Sequence, residues 1–383
     1  MRIIYFSNIF FTDCDFPLVR SLQTKGNEVY YFLPVANDKL KGGLFDLESL
    51  KGKHGIIKAN EIPEIKPYQS YMNLENVYVF VRSSKILNFY TILTFIKIIW
   101  KIKPDIFHIT MPLELSDFLL YMFRKKMVLT VHDPFLHSGE ESAKHELKRK
   151  FAFRLIPKLV LLNKNQKEKF IDYYNISYNK VFENKLSIYD CLCYLASNKH
   201  SIEKHLPQKY ILFFGHISPY KGLDTLCEAM TIVHSMDPDL HCIIAGKGDM
   251  YFDYSKYKDA NYIHLENKYI ETSKLASLIS SCLFTVCPYK DATQSGVVYS
   301  SFALSKPVLA SNVGGLGESV IDGVTGKQVV SNNPQKLAQS IISMVSNPSL
   351  LLKMSYNIKD KYERGENSWD VIADKYIECY LRK

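Results

Sequence analysis

Apolar runs alternate with segments of helical periodicity along residues 1–200. RIIYFS (2–7), EVYYFLPV (28–35) and KKMVLTVHD (125–133) are mainly apolar, which is typical of strands buried on both faces of a parallel sheet. Gly26 predicts the end of the first helix, because glycine readily adopts the left-handed conformation found there. The pattern therefore predicts a parallel sheet covered by helices, although residues 36–80 have weak periodicity and support no prediction.

This periodicity is lost around residues 195–209, where the chain is polar and contains a proline, as in a linker. Apolar runs then resume at 210–216 and recur up to 306–312, with helical patterns between them. Two such arrays predict an α/β protein with two domains, at residues 1–200 and 205–366. Residues 367–383 are predicted to form an amphipathic helix, with apolar side chains at 369, 372, 376, 379 and 380.

Length and composition agree with two folded domains, since 383 residues exceed what one core usually supports. A formal net charge of +9 favours an anionic partner, such as a nucleic acid, a nucleotide, a phosphorylated lipid or a membrane surface. The sequence has no zinc-finger spacing, basic heptad region or aromatic RNA-binding signature. Nucleic acid is thus the least favoured of these partners.

Three features indicate the cellular compartment. The N-terminal MRIIYFSNIFF lacks the cleavage site of a secretory signal, and the longest uncharged run (86–96) is shorter than the roughly 18 residues of a membrane span. The eight cysteines are scattered and mostly lie in apolar segments, which predicts reduced, buried thiols. We expect a cytoplasmic protein.

Ligands of doubly wound sheets bind beyond the carboxyl ends of the strands. Gly215 and His216 follow one predicted strand, and Lys221 begins the next helix, where a positive charge suits a phosphate. Ser295 and Gly296 open another helix, whose unpaired N–H groups could receive an anion. A solvated lysine beside a turn glycine and a well-capped core helix are the structural alternatives at these two places.

The order of five segments, over about 120 residues, resembles the retaining, nucleotide-sugar-dependent glycosyltransferases of family 4. The segments are FFGHISPYKGLDTL, IIAGKGD, NKYI, PYKDATQSGVV and KPVLASNVGGLGESVIDGVTG. The resemblance implies the GT-B architecture, in which two Rossmann-like domains face each other across a cleft. It also implies that the C-terminal helix packs back on the first, acceptor-side domain.

The resemblance assigns roles to particular residues. The residues that it implies in binding the donor diphosphate are Gly215, His216, Lys221, Gln294, Ser295, Gly296 and Val297. Those that it implies in binding the nucleoside are Tyr269, Ile270 and Ser300. The catalytic set that it implies is His132, Asp133, Asp291 and Lys221, with a core histidine as the alternative for His132.

The sequence departs from the family pattern at two places. His216 stands where the family usually has arginine, and imidazole carries less than a full charge near pH 7. The paired glutamates of the family align with Ala292 and Ser300. Asp291 is then the candidate for the first carboxylate, and Ser300 offers only a hydroxyl.

We expect transfer of a sugar, with retention, from a nucleoside diphosphate sugar to a glycan or lipid-linked acceptor in bacterial polysaccharide biosynthesis. No cofactor or metal is expected, because no Asp-x-Asp pair follows a strand. The alternatives are a GT-B epimerase or phosphorylase, and a catalytically weak subunit that binds sugar nucleotides. A peripheral membrane contact through residues 97–103, with Ile98, Ile99 and Trp100, is a further hypothesis, and an ordinary sheet-covering helix is its alternative.

Overall fold

The computed structural model describes residues 1–83, 85–135, 142–162, 164–197, 206–292 and 295–382. The chain divides into two compact units, one comprising Met1–Ser187 with Trp369–Lys383 and the other Ile188–Ser368. Each unit has a mainly parallel sheet with covering helices, so the predicted α/β fold of two Rossmann-like domains is confirmed.

The described residues of the first unit form ten strands. They are β1 (Arg2–Phe6), β2 (Glu28–Ala36), β3 (Lys41–Gly42), β4 (Phe45–Asp46), β5 (Gly55–Lys58), β6 (Val77–Arg82), β7 (Ile106–Ile109), β8 (Met127–Val131), β9 (Lys158–Leu161) and β10 (Val181–Glu183). Eight of them form one sheet in the order β10-β9-β8-β7-β1-β2-β6-β5, which is parallel except for the pair β5–β6. The short strands β3 and β4 pair separately, and β3 to β5 have at most four residues, which explains why residues 36–80 show no clear periodicity.

Helices cover both faces of this sheet. They are α1 (Thr12–Thr24), α2 (Lys85–Ile102), α3 (Ala143–Leu155), α4 (Lys167–Tyr174) and the C-terminal helix (Trp369–Leu381), together with a 3₁₀ segment (Leu115–Lys126). Gly26 has a φ of +78° just after α1, as predicted.

The C-terminal helix packs on the first unit, as its amphipathic pattern and the family resemblance indicated. All five predicted apolar positions are buried. Ser21 Oγ donates a hydrogen bond to Asp370 Oδ1 (2.6 Å), and Asn184 Nδ2 donates to the main-chain oxygen of Ile372 (3.1 Å). The buried His108 bridges this helix to the sheet, because Tyr380 OH lies 2.6 Å from its Nδ1.

The second unit repeats the βα arrangement. Its strands are β11 (Tyr210–Phe214), β12 (His241–Gly246), β13 (Ile263–Asn267), β14 (Thr285–Cys287), β15 (Val308–Ser311) and β16 (Gly326–Val329). Its helices are α5 (Cys191–Ser197), α6 (Leu223–Met236), α7 (Thr272–Ser281), α8 (Gly296–Ala303), α9 (Gly314–Ser319), α10 (Pro334–Val345) and α11 (Pro348–Lys359), followed by a π-helical turn (Asp360–Arg364). The strand order β13-β12-β11-β14-β15-β16 is parallel throughout.

The division between the units falls before α5, upstream of the predicted boundary. The amide of Tyr189 donates to the main-chain oxygen of Tyr299, and Cys193 Sγ donates to that of Ala303 (2.7 Å). These bonds tie α5 to α8, so the helix belongs to the second unit. The predicted boundary at 200–205 lies outside the described residues.

The packing of helix α2 contradicts the predicted membrane-facing surface at residues 97–103. Ile99 is fully buried with Phe95 in the core beneath the helix, and Ile98 is partly buried against the same core. Only Trp100 among the three predicted apolar residues is largely exposed. Apolar residues repeat at helical spacing on the side of α2 that carries Ile99, and this side of the helix covers the sheet. No helix within the described ranges is both long and apolar enough to span a bilayer.

Replacement of Ile372 by alanine should lower the free energy of unfolding of the first unit by about 2–5 kcal/mol, since it removes a fully buried side chain and leaves a cavity. Both tryptophans, Trp100 and Trp369, belong to this unit, so urea unfolding followed by tryptophan fluorescence reports on it. The matched control is Leu381→Ala in the same helix, where the side chain is 64% exposed and the loss should stay below about 0.5 kcal/mol. Equal effects of the two substitutions would contradict the observed packing.

Candidate functional site

Three predicted residues converge at the carboxyl end of β11. Gly215 directly follows the strand with a φ of +107°, where L side chains are strained. A Cβ atom at this position would lie 2.9 Å from Lys221 Nζ and 3.6 Å from Val297 Cγ2. The glycine thus leaves a space that the lysine and the start of α8 border from two directions.

A tight turn holds Lys221 in place. Pro219–Lys221 form a 3₁₀ turn, and Gly222 (φ +67°) reverses the chain before α6 begins. A Cβ atom at Gly222 would lie only 2.0 Å from the main-chain oxygen of Pro288, so this approach requires glycine. The Pro288 loop therefore packs directly on the turn that carries the lysine.

The ammonium group of Lys221 is buried without an anionic partner among the described residues. The side chain is 8% exposed, and Nζ lies 5.3 Å from the centre of the Tyr289 ring. No described residue offers it a hydrogen-bond acceptor or a carboxylate. Burial lowers the pKa of Lys221, partly offset by the Cys287 thiol, and an incoming anion would reverse this shift.

The nearby carboxylate of Asp224 is already engaged. Lys290 Nζ contacts Asp224 Oδ2 at 2.6 Å, and Tyr251 OH donates to Oδ1 at 2.8 Å. Burial opposes ionisation of this carboxyl group, but the bonds from Lys290 and Tyr251 hold its pKa below its ordinary value. Lys290 thus neutralises the acid in the first turn of α6.

The start of α8 provides backbone donors beside the lysine. Ser295 has extended dihedral angles and its side chain makes no capping bond to a described residue. First-turn amides of an α-helix have no partner inside the helix, so those of Gly296 and Val297 can donate to a bound anion. Ser295 Oγ lies 3.4 Å from Tyr289 OH, which links this end of the helix to the ring beneath Lys221.

Glycines of two other predicted motifs support the same edge of the sheet. A Cβ atom at Gly246 would lie 1.8 Å from the main-chain oxygen of Gly215, and one at Gly314 would lie 1.7 Å from that of Ala292. Gly315 N also donates to Ala292 O at 3.1 Å. These glycines bring backbone segments into contact and fix the loop that carries Asp291.

The remaining predicted residues of the second unit are dispersed around this cluster. His216, Tyr269 and Asp291 are exposed, Ile270 is half-buried, and Ser300 is buried on α8. No recorded contact between described residues joins them to Lys221, so their roles stay predictions. Gln294 lies outside the described residues.

Tyr289 is a site residue that the sequence analysis missed. It follows Pro288 just beyond the end of β14 and is almost fully buried, with its ring facing Lys221 Nζ. A cation over an aromatic face is stabilised without being neutralised. Its place beyond a strand end was the available signal, but a tyrosine there is also an ordinary core residue.

His132 and Asp133 follow β8 in the first unit. The imidazole of His132 stacks on Phe11, with ring centres 3.9 Å apart and planes 6° apart. Its Nε2 is buried, and no described residue pairs with it. Burial lowers the pKa of His132 to about 4, so the ring is neutral at pH 7. Asp133 contributes its main-chain oxygen, which accepts from Arg149 at 2.6 Å.

Across the described residues, no group of three or more His, Cys, Asp and Glu side chains is arranged to hold a metal ion. Such a group would be needed for a metal site built by side chains alone. The charged and polar groups at the site are instead a lysine and backbone amides.

The second unit is similar to known glycosyltransferases. Residues 196–361 match the family described as Glycosyl transferases group 1. An uncharacterized glycosyltransferase of Methanocaldococcus jannaschii is 31% identical over 169 residues, which is 44% of this chain and 47% of that protein. The chain therefore spans about half the length of the curated relatives that it matches.

Solved structures match nearly the whole chain. HepE of Anabaena in complex with UDP-glucose has a TM-score of 0.66 at 12% identity, covering 99% of both chains. UDP-GlcNAc 2-epimerase from Neisseria meningitidis, bound to UDP-GlcNAc, has a TM-score of 0.62 at 12% identity, covering 100% of both. At these identities the likeness concerns the fold, which is the GT-B fold with two Rossmann-like domains.

The contribution of His132 to the stability of the first unit should fall as the pH is lowered from 6.5 to about 4. The pKa of His132 is depressed in the folded state, so only the unfolded state binds its proton in this range. Each such proton contributes a slope of about 1.4 kcal/mol per pH unit. His132→Phe, which preserves stacking on Phe11, should reduce the slope by one proton.

Urea unfolding, followed by tryptophan fluorescence, is measured at pH values from about 4.5 to about 7.5 in steps of about 0.5. The free energies of unfolding at these pH values give the slope. The control is His145→Phe on the exposed side of α3, which should leave the slope unchanged. An unaltered slope in His132→Phe would show that the imidazole titrates normally in the folded protein.

Proposed function

We propose that the protein is a retaining glycosyltransferase that takes its sugar from a nucleoside diphosphate sugar. The observation that carries the proposal is the meeting of Gly215, the unpaired Lys221 and the start of α8 at one strand end. This arrangement suits a diphosphate, and it lies in the segment that matches the group 1 glycosyltransferases. Because the structures of HepE contain UDP and UDP-glucose, uridine nucleotides are the first donors to test.

Stabilisation of the departing diphosphate is the proposed source of catalysis. Negative charge develops on the diphosphate as the glycosidic bond breaks, and preorganised donors lower the energy of that state. Lys221 supplies a full charge, and the amides of Ser295, Gly296 and Val297 supply aligned dipoles. His216, whose side chain is exposed, is proposed to make a further contact with the diphosphate.

Acidic and neutral groups are proposed to bind the sugar and the nucleoside. Asp291 is the proposed acidic contact beside the donor sugar, and Tyr269, Ile270 and Ser300 the proposed nucleoside contacts. No side chain at the described site is an evident nucleophile, so front-face transfer is favoured over a covalent intermediate. Neutral His132, whose Nε2 has no described partner, is proposed to bind a sugar hydroxyl together with Asp133.

The setting that we propose is bacterial polysaccharide biosynthesis in the cytoplasm, with a glycan or lipid-linked acceptor. Transfer should not need a divalent metal, because lysine and helix amides can balance the diphosphate charge. Activity that is lost with EDTA and restored by Mn²⁺ would contradict this part of the proposal.

Two alternatives keep specific support. An epimerase is favoured by the full-length likeness to UDP-GlcNAc 2-epimerase. A weakly active sugar-nucleotide-binding subunit is favoured by Ala292 and Ser300, which replace the two glutamates implied by the family. Both alternatives use the same nucleotide site, so donor binding alone does not separate them from a transferase.

Product analysis with a panel of labelled nucleotide sugars separates the three functions. A transferase releases nucleoside diphosphate and joins the sugar to an acceptor or to water. If transfer proceeds with retention, the first product seen by NMR has the anomeric configuration of the donor. An epimerase returns an isomeric sugar or nucleotide sugar. Saturable donor binding without any turnover would support the weak subunit.

Lys221→Ala should lower kcat/KM by about 10²-fold or more, because it removes one charge-stabilising donor from the departing diphosphate. The fold should persist, since the lysine forms no ion pair with a described residue. Lys336→Ala on the exposed side of α10 is the matched control and should leave kcat/KM unchanged. An unchanged rate in Lys221→Ala would mean that the phosphates bind elsewhere.

Asp291→Asn should lower kcat by roughly 10²-fold and change nucleoside diphosphate affinity little, which is the pattern of an interaction that acts mainly in the transition state. Initial rates and calorimetric titration with UDP measure the two quantities. Asp259→Asn, at an exposed turn of the same unit, is the control. Weakened UDP binding with an unchanged kcat would assign Asp291 to the nucleotide instead.

A further inference from the structure

The 3₁₀ segment Leu115–Lys126 presents an apolar stripe to solvent. Asp117, Leu120 and Tyr121 point inward and are buried. Four large apolar side chains are exposed on the other side, among them Leu115, which is 82% exposed, followed by Phe118, Leu119 and Met122. Leu115 and Phe118 are three residues apart, as are Leu119 and Met122, which is the repeat of a 3₁₀ helix, so they form two neighbouring rows along the segment.

Helix α3 extends this surface. Leu147, which is 69% exposed, and Phe151 lie four residues apart on its outer side. The ring of Phe151 is centred 5.8 Å from that of Phe118, and Lys148 Nζ contacts Glu114 Oε1 at 2.6 Å. The two segments therefore share one apolar face, defined by Leu115, Phe118, Leu119, Met122, Leu147 and Phe151. Single exposed apolar residues are common on protein surfaces, but a contiguous group of this kind marks an interaction site.

The charge around the apolar face is strongly positive. Residues 115–126 and 143–155 contain eight lysines and arginines and two acidic residues. Both acids are already paired, because Asp117 bonds to Arg82 and Glu146 contacts Arg149 and Lys150. Arg124, Lys125, Lys144 and Arg154 are exposed on the two segments that carry the face. Its partner should then offer apolar volume and negative charge together.

A second copy of the chain fits these requirements poorly. A symmetric contact through the apolar face would place the same basic side chains opposite one another, and this repulsion opposes association. An anionic bilayer meets both requirements, because apolar side chains enter the boundary between headgroups and acyl chains while lysines and arginines extend to the phosphates. We propose that the apolar face of the first unit binds the surface of an anionic membrane.

The apolar face borders a polar cleft of about 650 Å³ at the carboxyl ends of β2 and β6. Leu115 lines the cleft together with Asn37 and Arg82, whose Oδ1 and Nε atoms are buried without a partner among the described residues. A lipid-linked acceptor could keep its lipid in the bilayer while its polar head enters this cleft. This extension rests on the proposed transferase function, whereas membrane binding itself does not.

Co-sedimentation with vesicles tests the membrane contact without any donor or acceptor. Vesicles of phosphatidylcholine mixed with phosphatidylglycerol should bind the protein at low salt, and binding should weaken with added salt or with phosphatidylcholine alone. Lys125→Gln combined with Arg154→Gln should weaken the partition coefficient about 25-fold, at about fivefold per charge. Leu115→Ser combined with Leu119→Ser should weaken it about tenfold or more.

The matched control is Leu352→Ser combined with Tyr356→Ser on α11 of the second unit, where the side chains are 73% and 70% exposed. This variant should bind vesicles as the unmodified protein does. Thermal unfolding should show that all three double variants are folded, as expected for exposed positions. Unchanged nucleotide-sugar turnover in the variants would separate the membrane contact from the donor site.

Three results would overturn the proposal. One is the absence of binding to phosphatidylglycerol vesicles, and another is an equal loss of binding in the α11 control. The third is a dimer in sedimentation velocity that Leu115→Ser with Leu119→Ser abolishes, since a second copy would then occupy the apolar face. A salt-dependent partition that both first-unit variants weaken, while the control does not, supports the membrane.

Discussion

The candidate donor site depends on backbone approaches that only glycine permits. Gly246 lies against Gly215, Gly222 against Pro288, and a Cβ atom on Gly246 or Gly222 would fall within 2.0 Å of a carbonyl oxygen. These approaches draw β11, β12 and the loop after β14 together at one edge of the sheet. The turn that carries Lys221 and the start of α8 can then border the same space. A single added methyl group at either glycine would separate the donors that are proposed to bind the diphosphate, even if every charged side chain were retained.

Burial of the Lys221 ammonium group costs free energy, and a bound anionic ligand would offset this cost. A buried ammonium group without a counter-ion is disfavoured, and burial lowers its pKa accordingly. The face of Tyr289 reduces this cost without neutralising the charge. Asp224, in the first turn of α6, is paired with Lys290. Tyr289 and Lys290 lie between Pro288 and Asp291 in one loop, so the ring that faces Lys221 and the proposed acidic contact belong to the same short segment.

The sequence predicted the layers of the fold and the strand ends better than it predicted how side chains meet. Both βα arrays and the C-terminal helix follow from apolar periodicity, and the turn at Gly26 follows from the conformational freedom of glycine, which are both local properties. The start of the second unit could not be found this way, because α5 is tied to α8 by bonds to residues more than 100 positions away. The burial of Ile99 likewise depends on which side of α2 meets the sheet. For the site, Gly215, Lys221 and Val297 were predicted from motifs, but the pairing of Lys221 with the ring of Tyr289 is a tertiary contact without a sequence signature.

Buried polar groups divide into two kinds in this protein. His108 and Asp15 sit inside the first unit with full sets of partners, since Thr130 and Tyr380 flank the imidazole while Tyr5, Ser7 and Tyr31 donate to the carboxylate. Such closed networks stabilise a core and leave no capacity for a ligand. Among the described residues, eight buried side-chain atoms have no partner, and four of them belong to Asn37, Arg82, His132 and Ser218, at or just after the carboxyl ends of β2, β6, β8 and β11. An unpaired buried polar atom costs free energy. Since four of these atoms lie at the edges where such sheets bind ligands, they are candidates to bind a polar ligand.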